Sequence, residues 1–286
     1  MRPSVFIGSS IWRTVEPLHM RSLVPLLRDN YYGYYPQVGD ALIERARGIS
    51  ATYFLRHTKG DVHLSLDSDI VEFTKESIDQ MCEQAVEYGI VGACYITRST
   101  MRTFPTSQLE NGIKVLFAND PTPVPIQWAA TGCLAVHRRV FEAMAETMPL
   151  LHEPDNERAF YPFYQTMIYD DPASGKILLS EDYAFCQRAK DLGFQTYLNP
   201  AVRVGHMGQF MHRMEDLVQE ILEPQPIAIT RNGQQWHIEC AGTRMSAEEQ
   251  GREVGPKPSR AERRREQRNG KPVRDLIGAE KGQPSA

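Results

Sequence analysis

Val62-His63-Leu64-Ser65-Leu66-Asp67-Ser68-Asp69-Ile70 is the stretch on which the reading of this chain turns. A short, mostly apolar run ends in two carboxylates with one small polar residue between them. In extended backbone, residues two apart point to the same side. Asp67 and Asp69 are therefore expected to present oxygen ligands together at the end of a buried strand. A half-buried carboxylate pair is costly unless a cation accompanies it. Hard divalent cations such as Mg²⁺ or Mn²⁺ favour oxygen sites of this kind and keep positions open for phosphate. An EF-hand is excluded: the loop position that requires glycine is Glu72, and no bidentate Glu follows in place.

Working outward, Thr74 is placed to cap a helix in which Ile78, Met81, Cys82 and Ala85 share one face and Gly89 closes the last turn. Ile90-Val91-Gly92-Ala93 reads as the next strand. Upstream, Asp40 to Leu55 reads as a helix with Asp40 at the N-cap and an apolar stripe of Leu42, Ile43, Ala46, Ile49, Tyr53 and Phe54. Arg45 and Arg47 lie off that stripe. Either both are solvated, or one reaches phosphates or the acidic pair, since a guanidinium suits both. Ser4 to Ile7 reads as a first strand stopped by Gly8-Ser9-Ser10, which is either a simple turn or the strand-to-loop passage where α/β domains bind nucleotides. Residues 15–28 show helix spacing, with Pro17 near the start and Leu18, Ser22, Pro25 and Leu26 along one side; Tyr31, Tyr32, Tyr34 and Tyr35 then lead through Pro36 into a short second strand. Strands alternating with helices predict a mostly parallel sheet covered on both faces. Ligands gather at the carboxyl ends of such strands, and the acidic pair stands at one of them.

Downstream, residues 98–125 are irregular, with Pro121, Pro123 and Pro125 near the end, as in a flexible loop or exposed hairpin. Trp128-Ala129-Ala130-Thr131-Gly132-Cys133-Leu134-Ala135-Val136 places small residues ahead of a strand; Gly132 either lets backbone approach a ligand or permits a tight bend. Residues 152–175, rich in aromatics and acids, read as a flap over a pocket. Ser180-Glu181-Asp182 opens a helix lined by Phe185, Ala189 and Leu192 and closed by Gly193. Acids in a first turn gain about 0.3–1 kcal/mol from the helix dipole, which alone accounts for Glu181 and Asp182. After that helix come Phe194 to Leu198, a turn at Asn199-Pro200, a short strand Val202 to Val204, and Gly205-His206. His206 is either an ordinary loop histidine or a third ligand beside two carboxylates.

A chain of 286 residues, 41% hydrophobic, fits one large α/β domain or two small ones. The start is not a signal peptide, because Val5-Phe6-Ile7 gives way at once to Gly8-Ser9-Ser10, and no run approaches the length of a membrane span. Five cysteines, odd in number and scattered, read as reduced thiols in a cytoplasmic protein. The net charge of −4 is uneven: residues 256–275 hold eight Lys/Arg against three Asp/Glu, a local +5 that leaves −9 elsewhere. An acidic body argues against a broad nucleic-acid face. From about residue 241 aromatics are absent and Arg, Glu, Gln, Gly and Pro dominate. The division expected is thus a folded domain over 1–240 and a polar, basic, disordered tail over 241–286. The tail is either solvated or an arm that holds a polyanion.

In their order along the chain, Leu42 to Arg47, Leu64 to Ile70, Thr131 to Val136 with Arg138-Arg139-Val140-Phe141, and Ser180-Glu181-Asp182 through Asn199-Pro200 and His206 resemble glycosyltransferases of the GT-A fold, in particular the family 2-like group. The likeness covers roughly residues 3–210. It departs at Gly48, where members often carry Asn, and beyond about 215. The resemblance implies a Rossmann-like, mixed, mostly parallel sheet flanked by helices and the transfer of sugar from a UDP- or GDP-sugar to an acceptor hydroxyl, with inversion. It implies Mn²⁺ or Mg²⁺ held by Asp67, Asp69 and His206. On the donor it implies Gly8, Ser9, Ser10, Asp40, Arg45, Arg47, Ser68, Thr131 and Gly132. Asp182, with Glu181 beside it, would be the catalytic base, and Trp128 would meet the acceptor. A nucleotidyltransferase is disfavoured because Gly8 precedes two serines and Trp12 rather than a Gly-rich basic stretch; a non-catalytic nucleotide-sugar-binding protein stays open.

Overall fold

The computed structural model describes residues 2–98, 106, 107, 109, 117–153, 158–172, 174–208, 211–214 and, as backbone, 221–231 and 234–243. The chain divides into two units, Met1–Thr243 and Arg244–Ala286. The second unit, with the basic tail and its polyanion contact, lies outside the described residues, as does most of 98–116.

The order of elements is β1 (Val5–Ile11), α1 (Pro17–Leu27), β2 (Tyr32–Val38), α2 (Ile43–His57), β3 (Val62–Leu66), β4 (Ile70–Val71), α3 (Lys75–Tyr88), β5 (Ile90–Cys94), β6 (Val124–Ile126), β7 (Cys133–His137) and α4 (Arg138–Thr147). There follow β8 (Leu151–His152), β9 (Ala159–Phe160), β10 (Met167–Asp171), β11 (Gly175–Leu179), α5 (Glu181–Asp191), β12 (Thr196–Arg203), β13 (Gly205–Met207), β14 (Met211–His212), β15 (Ile221–Arg231) and β16 (Gln234–Thr243). Seven strands form the main sheet in the order β2-β1-β3-β7-β5-β12-β6. β1 pairs in parallel with β2 and β3, and β5 with β12, while β7 and β6 run against their neighbours. This is the mixed, mostly parallel α/β sheet that the sequence predicts.

The two-residue period of the strands sorts their side chains into two cores. Val5, Ile7, Val62, Leu64, Leu66, Val91 and Ala93 pack with α1 and α3 on one face. Phe6, Ile90, Leu134 and Val136 pack with α2, α4 and α5 on the other. In α3 the predicted residues Ile78, Met81, Cys82 and Ala85 are the buried ones, Thr74 and Ser77 close a capping box, and Gly89 takes a φ of 91°. In α1 the buried residues are His19, Leu23 and Leu26, so of the predicted side Leu26 alone faces the core.

Several boundaries differ from expectation, each for a local reason. β1 does not stop at Ile7. Gly8, Ser9 and Ser10 continue the strand, paired with Tyr35, Pro36 and Gln37. α2 begins at Ile43, and Asp40 does not cap it; instead Asp40 Oδ1 accepts from the Leu42 amide at 2.9 Å. The helix is buried without interruption from Ala46 to Thr52, because 159–164 covers the side turned away from the sheet. There the Tyr161 amide donates to Thr52 Oγ1 (2.8 Å), and a Cβ on Gly48 would stand 3.0 Å from the Tyr161 carbonyl. The side chain at 48 is thus limited by backbone, and Arg47 is carried inside. Among the described residues of 152–175, β8 pairs with β9 and β10 with β11, both antiparallel, and Phe163 and Tyr164 are core residues rather than a flap. Asn199-Pro200 is no turn between strands but an irregularity inside β12, whose register against β5 shifts between Leu198 and Arg203. Pro125 is tolerated in β6 because that strand is the sheet's edge.

Arg138 and Arg139 point to opposite faces of the sheet and close a helix on each. Arg138 donates to the carbonyls of Phe54, Leu55, Thr58 and Gly60 and lies 4.4 Å over the Phe54 ring, ending α2. Arg139 donates to the carbonyls of Val86 and Glu87, ending α3. Hydrogen bonds to charged groups contribute about 1.5–3 kcal/mol each, so the pair ties both helices to the start of α4.

Candidate active site

A cavity of about 1500 Å³ opens at the carboxyl edge of β1 and β3. Among the described residues, six carboxylates (Glu16, Asp40, Asp67, Asp69, Glu181, Asp182) and three guanidinium groups (Arg13, Arg47, Arg98) line it, an excess of acids. The acidic pair reaches it by a turn rather than by extended backbone. The Ile70 amide donates to the Asp67 carbonyl (3.0 Å), the Asp67 amide to the Gly132 carbonyl (2.9 Å), and the Met207 amide to the Asp69 carbonyl (2.8 Å). Both carboxylates line the cavity, but the turn sends them in different directions, which corrects the expectation of a shared side.

Asp67 points to Arg47. That guanidinium is 6% exposed and is surrounded by acids from two elements. Its Nη2 donates to Asp67 Oδ2 (2.7 Å); its Nη1 donates to Glu181 Oε1 (2.8 Å) and Asp182 Oδ1 (3.1 Å). Burial works against the guanidinium's charge, but the three carboxylates outweigh burial and hold its pKa above the ordinary value. Asp67 is shifted upward, by burial first, against the pull of Arg47. Its second oxygen, Oδ1, is buried with no hydrogen-bond partner among the described residues.

Asp69 points to His206 and Arg98. β13 pairs with β4, setting His206 opposite Ile70, next to Asp69. His206 Nδ1 lies 2.9 Å from the Ile96 carbonyl, which can only accept, so Nδ1 carries the proton. Nε2 then faces Asp69 Oδ2 at 3.6 Å, and Arg98 Nη1 donates to that same oxygen. Burial pushes the Asp69 pKa up; the hydrogen bond from His206 and the positive charges of His206 and Arg98 outweigh it, and the net shift is downward. Asp67, Asp69 and His206 thus share a cavity without forming one ligand cluster. Among the described residues, no three His, Cys, Asp or Glu groups stand together as a ready metal cage. The donor set nonetheless fits a divalent cation chemically: an orphaned carboxylate oxygen, a second carboxylate, and an imidazole whose Nε2 can bond a cation in place of its proton.

Glu181 and Asp182 open α5, and the Thr131 amide lies 3.4 Å from Asp182 Oδ2. The Glu181 carboxyl is pushed up to about 7, first by burial and then by its neighbour Asp182, against Arg47. A carboxyl raised from 4.5 keeps its proton in the native state where the unfolded chain has lost it. Its contribution to stability is full below about pH 4.5 and is lost as pH rises through about 7. Urea unfolding at pH 5.5 and pH 8 is therefore expected to show a fall in stability that Glu181→Gln reduces; an equal fall in the variant would refute the shift.

Of the other expected residues, Ser10, Asp40, Ser68 and Gly132 line the cavity, and Gly8, Ser9, Arg45, Thr131 and Trp128 do not. Gly8 lies within the sheet, where a Cβ would stand 2.1 Å from Ser50 Oγ and 2.6 Å from His63 Nε2. Ser9 and Thr131 are fully buried. Arg45 is turned aside onto Asp40, which takes both its Nε (2.7 Å) and its Nη2 (2.8 Å). At Gly132 it is Tyr95 that requires glycine: its hydroxyl accepts from the Gly132 amide at 2.8 Å, and a Cβ would stand 2.7 Å from it. Trp128 is 4% exposed and stacks behind Tyr183 (5.2 Å, 22°), so of these two rings it is Tyr183 that lines the cavity. Tyr183 stands next to Asp182 in sequence, a signal that could have identified it. Arg98 lies in an aperiodic polar stretch and gives none.

The fold and site define an α/β protein with an acidic cavity at the carboxyl edge of a mixed, seven-stranded sheet. No protein-family model matches the chain, and no curated protein matches it. Among solved structures it is similar to the crystal structure of A197 from STIV, at 16% identity over 71% of this chain and 85% of that one, with a TM-score of 0.46. A likeness of that size says nothing about activity.

Proposed function

We propose that the chain is a metal-dependent glycosyltransferase of GT-A type that moves a sugar from a nucleoside-diphosphate sugar to an acceptor hydroxyl with inversion. One observation carries the reading: the Asp67–Asp69 turn, the first turn of α5 and His206, distant in sequence, line one cavity. Mn²⁺ or Mg²⁺, bound by Asp69, His206 and the free oxygen of Asp67, would act as a Lewis acid on the departing diphosphate. Ser10, Asp40 and Ser68 form the wall where the nucleoside lies, with Trp12 exposed at the rim.

Asp182 takes the proton of the acceptor hydroxyl while its oxygen bonds to the anomeric carbon. The bond from that carbon to the diphosphate oxygen breaks, and the diphosphate leaves with the electron pair. Arg47 holds Asp182 from behind and turns it towards the cavity. Glu181 fixes the other side of Arg47. Tyr183 offers the acceptor an aromatic wall, in the role expected of Trp128. No helix among the described residues is long and apolar enough to cross a membrane.

A panel of UDP- and GDP-sugars with Mn²⁺ tests the reading. The wild type is expected to hydrolyse or transfer from one of them, and Asp69→Ala to lose that activity. Equal rates in the two proteins would remove the site assignment. Binding without turnover, whatever the acceptor, would favour a non-catalytic nucleotide-sugar-binding protein.

A further inference from the structure

Arg47 and Arg98 both neutralise members of the acidic pair, but they are built differently. Arg47 is 6% exposed and fixed by three carboxylates from β3's end and α5. Arg98 is 54% exposed and pairs with Asp69 at the rim. Its root lies beside Gly208: a Cβ there would stand 3.3 Å from the Arg98 Cβ, so the two backbones run close together. Its head lies on a long, flexible stem at the cavity surface.

The oxygen that receives Arg98 is Asp69 Oδ2, the one that His206 Nε2 faces at 3.6 Å. A guanidinium therefore occupies the place on Asp69 where a divalent cation would bond. The two cannot share that oxygen without like charges meeting. An exposed ion pair is weak, so a divalent cation can replace it. A displaced Arg98 remains at the cavity wall with its charge unpaired, and a planar guanidinium matches two phosphate oxygens.

We propose that Arg98 is a diphosphate-binding residue held on Asp69, and that it passes to the donor's phosphates when a divalent cation takes its place on that carboxylate. This rests on the glycosyltransferase reading of the cavity and adds a residue to it. It implies that the cation and Arg98 compete for Asp69 in the free protein and act together once the diphosphate is bound.

The experiment uses the full chain, its Arg98→Gln, Arg98→Lys and Asp69→Asn variants, MnCl₂ alone, and then UDP or GDP with MnCl₂. Spin resonance of free Mn²⁺ is expected to show Arg98→Gln binding the ion about fivefold tighter than wild type, the size of a surface ion pair. Calorimetry is expected to show the same variant binding the Mn²⁺–diphosphate roughly tenfold more weakly, as for a lost charge-assisted hydrogen bond, with uridine or guanosine binding unchanged. Arg98→Lys keeps most of the wild-type behaviour in both. A misfolded variant would not tighten one ligand while loosening the other. Unchanged or weaker Mn²⁺ binding by Arg98→Gln overturns the competition, and unchanged UDP and GDP binding overturns the phosphate role. If wild type, Arg98→Gln and Asp69→Asn all fail to bind Mn²⁺ alone and bind UDP and GDP equally with or without it, the metal site fails, and the proposal with it.

Discussion

Asp182→Asn is expected to lower sugar transfer by roughly 10²–10⁴-fold, the range supplied by a positioned general base. Asn keeps the volume and an oxygen for Arg47 Nη1, which bonds Asp182 at 3.1 Å, so the fold and the binding of UDP or GDP should be preserved. The loss should fall on kcat for transfer. Initial rates at saturating donor and acceptor, with calorimetric binding of the nucleotide diphosphate as control, separate the two. Transfer at the wild-type rate would mean that no base acts from α5, and would point to a retaining mechanism.

A larger effect on stability is expected at Arg47. Arg47→Met keeps much of the side chain's bulk but leaves Asp67, Glu181 and Asp182 facing one another with no cation between them. Removing one partner from a buried charge network costs about 3–5 kcal/mol, because the remaining charges stay desolvated. Urea unfolding should show a lower midpoint with an unchanged slope. Arg47→Lys should recover part of the loss, since one ammonium keeps the charge but cannot reproduce a fork that reaches β3's end and α5 together. A Met variant as stable as wild type would show that the three carboxylates do not depend on Arg47.

The fold was legible where a pattern had a period. α3 was readable to the residue because its apolar positions recur every three or four places between a Thr cap and a closing Gly. The strands β3 and β5 were readable because both faces of the sheet are covered and their sequences are mostly apolar. Reading failed where one segment's environment depends on a distant one. Arg47 stood between a solvated face and the acidic pair, and the second alternative holds, at 2.7 Å from Asp67; the local sequence could not choose because the cover of α2 comes from 159–164, more than a hundred residues later. Gly8-Ser9-Ser10 looked like a loop because nothing local announces that β2 pairs with it to Ile11.

The site was legible in its composition and less so in its geometry. Asp67, Asp69, Glu181, Asp182 and His206 do line one cavity, as their order along the chain led us to expect. Their orientation was not readable, since a turn at Ser68 overrides the alternation of a strand. Trp128 was misplaced for a related reason: an aromatic beside small residues can face a ligand or the core, and only the position of α5 decides.

The reversal of β7 bears on the electrostatics of this edge. The parallel strands arrive there at their ends, where the chain leaves the sheet; β7 begins there, and its pairing with β3 starts at Cys133. The amides just ahead of that first pair, those of Thr131 and Gly132, are therefore free to serve the site: one faces Asp182, and the other is bound by Tyr95. A cavity overloaded with acids thus receives neutral donors from the main chain. These partial positive charges neither titrate nor exchange with a cation, and no substitution other than proline removes them.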